Sequence, residues 1–122
     1  MDAVGWCVVT RHTITATDYL TALAKTMTEN ALLNQVRALA HALGWLGYHT
    51  HRSDRSEPGY PDLTLVKGGR LIFAELKTEK GHLTGPQRAW WDALVHATGE
   101  VYLWRPTQLL DGTIETILRS PK

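Results

Sequence analysis

Residues 59–77 read G-Y-P-D-L-T-L-V-K-G-G-R-L-I-F-A-E-L-K. Two alternating runs are joined by Gly68-Gly69 alone, and a two-residue Gly-Gly link of this kind is a strong hairpin signal. If those glycines form the whole loop, Lys67 stands opposite Arg70 and, counting outward, Asp62 stands opposite Glu75. Directly opposed residues share a face, with Cβ atoms roughly 4.5–5.5 Å apart. Lys77 lies two residues beyond Glu75 and shares that face, because strand side chains alternate. One end of the hairpin thus gathers two carboxylates and an ammonium. Like charges directly opposite are destabilising, so the pattern points to a divalent cation held by oxygen ligands. The second face carries Leu63, Leu65, Ile72, Ala74 and Leu76, a set suited to a core. The acidic face also carries Val66, Leu71 and Phe73, as expected of central strands covered on both sides.

The elements around the hairpin follow from periodicity. Thr28 can cap a helix whose stripe is Leu32, Leu33, Val36, Leu39, Ala40 and Leu43, and Gly44 ends it. Glu29 falls on that inward stripe, either as a site carboxylate or as a first-turn complement to the helix dipole. Residues 45–52 alternate in part and predict a strand. His49 and His51 then face one side, as a metal pair would, but no third ligand at zinc spacing accompanies them; surface histidines or donors to a phosphate fit better. Residues 53–60 form a loop, and there Arg55, with Arg52 just before it, either reaches a backbone phosphate or is solvated.

Beyond the hairpin, residues 78–83 are a polar loop. Thr84 and Gln87 have the spacing of a capping box. Gln87 shares a face with Trp90, Trp91 and Leu94, so it either points toward the sheet or only closes the box. The tryptophans read as core rather than as a base-stacking platform. Gly99 stops this helix, residues 100–105 make a last strand ended by Pro106, and residues 109–118 hold a turn at Asp111-Gly112 and a short helical pattern. Residues 1–27 read as an extension: a strand or arm over 5–15, then a short helix capped at Thr17-Asp18. The main domain spans 28–122.

A chain of 122 residues with 43% hydrophobic content suits one globular domain. The lone Cys7 cannot form an internal disulfide, which fits a reducing compartment. No apolar run of about 18 residues is present, so no membrane span is expected, and a cytoplasmic protein is. A net charge of +1 lacks the domain-wide basic footprint of many nucleic-acid binders. Metal-binding carboxylates lower that sum, however, and basic residues gather around the hairpin: Arg52, Arg55, Lys67, Arg70, Lys77, Lys80 and Arg88.

The order helix, three strands, helix, strand predicts an α/β fold, a mixed central sheet flanked by helices, with an antiparallel hairpin and a parallel return. Asp62, Glu75 and Lys77 on one strand face, with Glu29 nearby, suit metal-dependent phosphodiester hydrolysis. Asp62 and Glu75 would hold Mg²⁺, with the backbone carbonyl of Leu76 as a further oxygen ligand. Lys77 would orient or deprotonate the attacking water, or stabilise phosphorane charge.

G-Y-P-D-L at 59–63 followed by Glu75-Leu76-Lys77 resembles the PD-(D/E)XK nuclease superfamily. In detail, Glu29, Gly81, Thr84-x-x-Gln87 and Gly99 resemble its VRR-NUC (virus-type replication-repair nuclease) family over residues 28–107. One departure is Pro86, which the family more often has one residue earlier. The resemblance implies a restriction-endonuclease-like αβββαβ core and Mg²⁺ dependence with Mn²⁺ substituting. It implies metal-ligand roles for Asp62 and Glu75, catalysis by Lys77, an auxiliary acidic role for Glu29, and Gln87 near the site. Stand-alone members are typical of phages and bacteria, and several resemble Holliday-junction resolvases. A structure-selective DNA endonuclease of replication, recombination or repair, acting as a homodimer, is therefore expected. His49, His51, Arg52, Arg55, Lys80 and Arg88 would contact DNA. The alternatives are a nuclease of linear or nicked duplex, and a catalytically inactive nucleic-acid-binding protein of the same fold.

Overall fold

The structure, a computed structural model, describes residues 15–51 and 57–121. The described elements run α1 (Ala16–Thr26), α2 (Glu29–Ala42), β1 (Leu46–His49), β2 (Leu63–Lys67), β3 (Arg70–Leu76), α3 (Gly85–Thr98), β4 (Val101–Trp104), α4 (Pro106–Leu110) and α5 (Thr113–Arg119). The protein is mixed α/β: among the described residues, a four-stranded mixed sheet with five helices packed against it. Strand order is β1-β2-β3-β4; the first two pairings are antiparallel and β3–β4 is parallel.

The hairpin register is the one a two-residue loop dictates. Lys67 pairs with Arg70 and Leu63 with Ala74. Gly68 and Gly69 supply the positive φ angles of the turn, 52° and 83°, which few residues other than glycine adopt at low cost.

The core lies on the face of Leu63, Leu65, Ile72, Ala74 and Leu76. Against it pack Leu32, Val36 and Ala40 of α2, Ile114 and Leu118 of α5, and Trp45 and Trp104. Burial of such side chains contributes about 1.5–3 kcal/mol each. Arg70 fastens the turn end of the sheet to the C-terminal helix. Its guanidinium pairs with Glu100, donates to the carbonyls of Ile117 and Ser120 at 2.9 and 2.7 Å, and lies 5.1 Å from the Trp45 ring centroid.

Four expectations need correction. Thr15, not Thr17-Asp18, caps α1; Asp18 sits at the third helical position and completes a capping box with Thr15. Of the strand predicted over 45–52, whose Arg52 lies outside the described residues, only Leu46–His49 forms β1; Thr50 adds one bond to the Asp62 carbonyl (2.9 Å), and its hydroxyl turns to the Pro61 carbonyl (2.8 Å). Trp90 and Trp91 are half-buried rather than core, and α3 contributes no fully buried residue. Trp90 packs edge-on against Tyr60 (centroids 5.0 Å apart), which in turn meets Phe73 edge-on. Last, Pro106 does more than end β4: it opens α4, a helix absent from the sequence reading. The strand or arm expected over 5–15 lies outside the described residues apart from Thr15.

The face opposite the core is covered incompletely. Leu46 (76% exposed) and Tyr48 (60%) on β1, with Val66 and Leu71 beside them in register, leave apolar surface in solvent. Among the described residues, no helix is long and apolar enough to cross a membrane.

Candidate active site

The site forms at the end of the sheet where β1, β3 and β4 finish and β2 begins. Asp62 stands one residue before β2, and its carboxylate accepts the N–H of Leu76 at 2.9 Å. That bond crosses the open end of the hairpin and fixes Asp62 beside Glu75. Thr50 holds the backbone on the other side of Asp62.

Glu75 is 2% exposed. Burial, followed by the hydrogen bond and the charge of Asp62, pushes its carboxyl up to about 9; the Lys77 charge opposes this and Glu29 adds to it. Without a cation, then, Glu75 keeps a proton at neutral pH, because a buried carboxyl next to a second carboxylate does not ionise cheaply.

Lys77 is 8% exposed, a rare degree of burial for lysine. Its N–H donates to the Trp104 carbonyl at 3.1 Å, prolonging the parallel ladder past β3. Gly81 lies against its stem: a Cβ there would meet Lys77 Cδ at 3.4 Å and Thr78 Oγ1 at 3.2 Å.

Gln87 resolves the choice left open by the sequence by taking both roles. Its Oε1 accepts the Thr84 N–H at 2.9 Å and closes the capping box. Its Nε2 donates to Glu75 Oε1 at 3.2 Å. The approach of α3 depends on Gly59, with φ 91°, where a Cβ would lie 2.4 Å from the Pro86 carbonyl group.

Glu29 is the first residue of α2 and borders a cleft of about 400 Å³ with Asn30, His49, His51, Asp62 and Leu76. The His49 and His51 rings stand 4.4 Å apart. Desolvation, then the charges of Arg37 and His51, hold His49 below the usual histidine range, so it meets a substrate as a neutral group more than as a cation.

The expected DNA contacts are scattered. Lys80 and Arg88 are exposed; Arg88 lies 3.9 Å from Asp92 on its own helix. Arg52 and Arg55 lie outside the described residues. Two members of the basic cluster leave it: Arg70 is buried at the far end of the sheet, and Lys67 donates to the Leu43 carbonyl at 2.6 Å.

Sequence reasoning missed Arg105. Its Nη1 donates to the carbonyls of Thr78 (2.7 Å), Glu79 (3.1 Å) and Gly81 (2.8 Å), clamping the loop that follows Lys77. An arginine between a strand and a proline carries no signal of this. Asn30 and Thr50 were missed for the same reason: their roles come from tertiary position.

Among the described residues, no three His, Cys, Asp or Glu side chains converge as a ready-made metal cage. Asp62 and Glu75 still fit a hard cation. Mg²⁺ takes one or two carboxylates and keeps several waters, and the raised pKa of Glu75 beside Asp62 marks where positive charge is needed. Compared with known proteins, the chain matches no family model, no curated protein and no solved structure.

Proposed function

We propose that the protein is a metal-dependent DNA endonuclease that hydrolyses phosphodiester bonds, with Mg²⁺ as cofactor and Mn²⁺ as substitute. The observation that carries this reading is the placement of Asp62, Glu75 and Lys77 together at one sheet end, with Gln87 on Glu75 and an open cleft beside Asp62. The element order from α2 to β4 is the αβββαβ order of restriction-endonuclease-like folds, which supports the resemblance to VRR-NUC nucleases.

Asp62 and Glu75 would hold the cation, with the Leu76 carbonyl as a further ligand. Bound there, it would neutralise charge on the scissile phosphate and lower the pKa of a water. The remaining work falls to the chain. Leu76 N–H and Thr50 orient Asp62, and Gln87 orients Glu75. Lys77 presents its ammonium to the attacking water or to the phosphate charge that builds up in the transition state. Glu29 adds a carboxylate to the cleft wall.

DNA is the substrate class, recognised by shape through its phosphates; a branched, junction-like DNA cut by a symmetric homodimer is the preferred form. The exposed apolar residues Leu46, Tyr48, Val66 and Leu71 support a second copy, since a monomer rarely leaves such a contiguous patch in water.

The test is a panel of labelled branched, nicked and linear DNAs with Mg²⁺, Mn²⁺ or chelator. Cleavage is expected only with metal. Asp62→Ala, Glu75→Ala and Lys77→Ala each lower it by roughly 10² or more with the fold retained by circular dichroism. Full cleavage by the Glu75 variant would refute the assignment; binding without incision by the native chain would leave a nucleic-acid-binding protein. Light scattering reports the dimer.

A further inference from the structure

A second groove, of about 420 Å³, adjoins the catalytic cleft. One side comes from the end of α1 and the link into α2, through Lys25, Met27 and Thr28. The other comes from the loop after β3, through Thr78, Glu79 and Lys80. The two linings meet along the chain: Thr28 of the groove precedes Glu29 of the cleft, and Thr78 of the groove follows Lys77. Consecutive Cα atoms are about 3.8 Å apart, so at Thr28–Glu29 the backbone passes directly from one depression to the other.

Its lining carries two cations against one carboxylate. Lys25 and Lys80 are exposed, reach in from opposite walls, and neither makes an ion pair among the described residues. The only acid on the lining, Glu79, is engaged elsewhere: its carboxylate accepts the N–H and the hydroxyl of Thr107. Arg105 fixes the same loop through three backbone carbonyls, so Lys80 is carried on a braced segment.

Resting on the nuclease reading, we propose that this groove is a backbone-binding subsite for the strand that carries the scissile phosphate, with Lys25 and Lys80 each contacting one phosphate. The segment before residue 28, to which the family resemblance assigns nothing, thereby becomes part of the DNA track. Phosphate contacts of this kind set register without reading sequence.

The experiment measures binding of the full chain to a fluorescently labelled branched DNA by anisotropy, in chelator so that the strand stays intact, across a salt series. Each phosphate contact contributes about 0.7–0.9 to the slope of log K against log salt. The Lys25→Ala, Lys80→Ala double variant should lower that slope by about 1.4–1.8 and weaken binding by roughly 25- to 60-fold near 0.1 M salt. Lys25→Arg with Lys80→Arg should restore both. An unchanged slope in a double variant whose parent still binds and cuts overturns the subsite alone. A native chain that neither binds nor cuts DNA with Mg²⁺ or Mn²⁺ overturns the nuclease reading along with it.

Discussion

Glu75 couples stability to pH through one carboxyl group. Its burial beside Asp62 raises its pKa to about 9 from an ordinary 4.5. A group whose folded pKa is raised stabilises fully below its unfolded value and loses that contribution as pH rises through the folded value. In chelator, therefore, the melting temperature should fall between pH 5 and 9, a range bounded by those two values. Glu75→Gln should flatten that fall while abolishing cleavage, because an amide keeps the neutral form and surrenders a metal ligand. A thermal scan across pH with and without Mg²⁺ checks both; a variant with the native pH slope would show that another group titrates. The residue scale is also where the sequence was most readable. Asp62, Glu75 and Lys77 follow from a two-residue loop and a period of two. Gln87 was half legible, since a capping-box glutamine offers its carbonyl to the helix and leaves its amide free, and only the fold says what that amide meets.

Among the described helices, α3 alone has no fully buried residue, yet it delivers Gln87 to Glu75. Gly59 sets its distance from the sheet. Gly59→Ala would place a methyl 2.4 Å from the Pro86 carbonyl group and 2.7 Å from the Gln87 nitrogen, at a φ of 91°. A cost of about 2–4 kcal/mol is expected, combining αL strain and overpacking, with loss of activity as Gln87 is displaced. Gly69→Ala, at φ 83° in open space, should cost only about 1 kcal/mol and leave activity intact. Denaturant titrations of the two variants compare them; equal costs would mean the α3 approach is not sterically set. The glycine in G-Y-P-D was visible in the sequence, but its reason was not, because the atoms it makes room for lie more than 25 residues downstream. The half-buried tryptophans escaped for a related cause: helical spacing reports which face is apolar and not how completely a neighbour covers it.

Across the whole molecule, chemistry and stability sit at opposite ends of the sheet. At the turn end, Arg70 joins Glu100, the carbonyls of Ile117 and Ser120, and the Trp45 ring. Arg70→Met should destabilise by about 3–5 kcal/mol, the usual result of removing one member of a buried ion pair, and adding Glu100→Gln should recover part of it. Cleavage at temperatures where the variant stays folded should be unchanged, since no atom of this network touches the site. A loss of cleavage in the folded variant would show that the two ends communicate. Fold class was open to sequence reasoning because the alternation of strand and helix periods survives in every element. The Arg70 network and the Arg105 clamp were not, because each depends on carbonyls from segments more than 20 residues away.

The Arg105 clamp has a consequence for the order in which the chain is made. The hairpin closes on itself, and the Asp62–Leu76 bond can form as soon as residue 76 has emerged. Lys77 gains its ladder partner only with Trp104, and the loop behind it gains its brace only with Arg105. During synthesis the acidic pair is complete long before the lysine is held against it. A growing chain therefore assembles the carboxylate pair early and the lysine last, after β4 has docked; if the proposed nuclease reading holds, a ribosome-bound fragment would bind metal before it could cut.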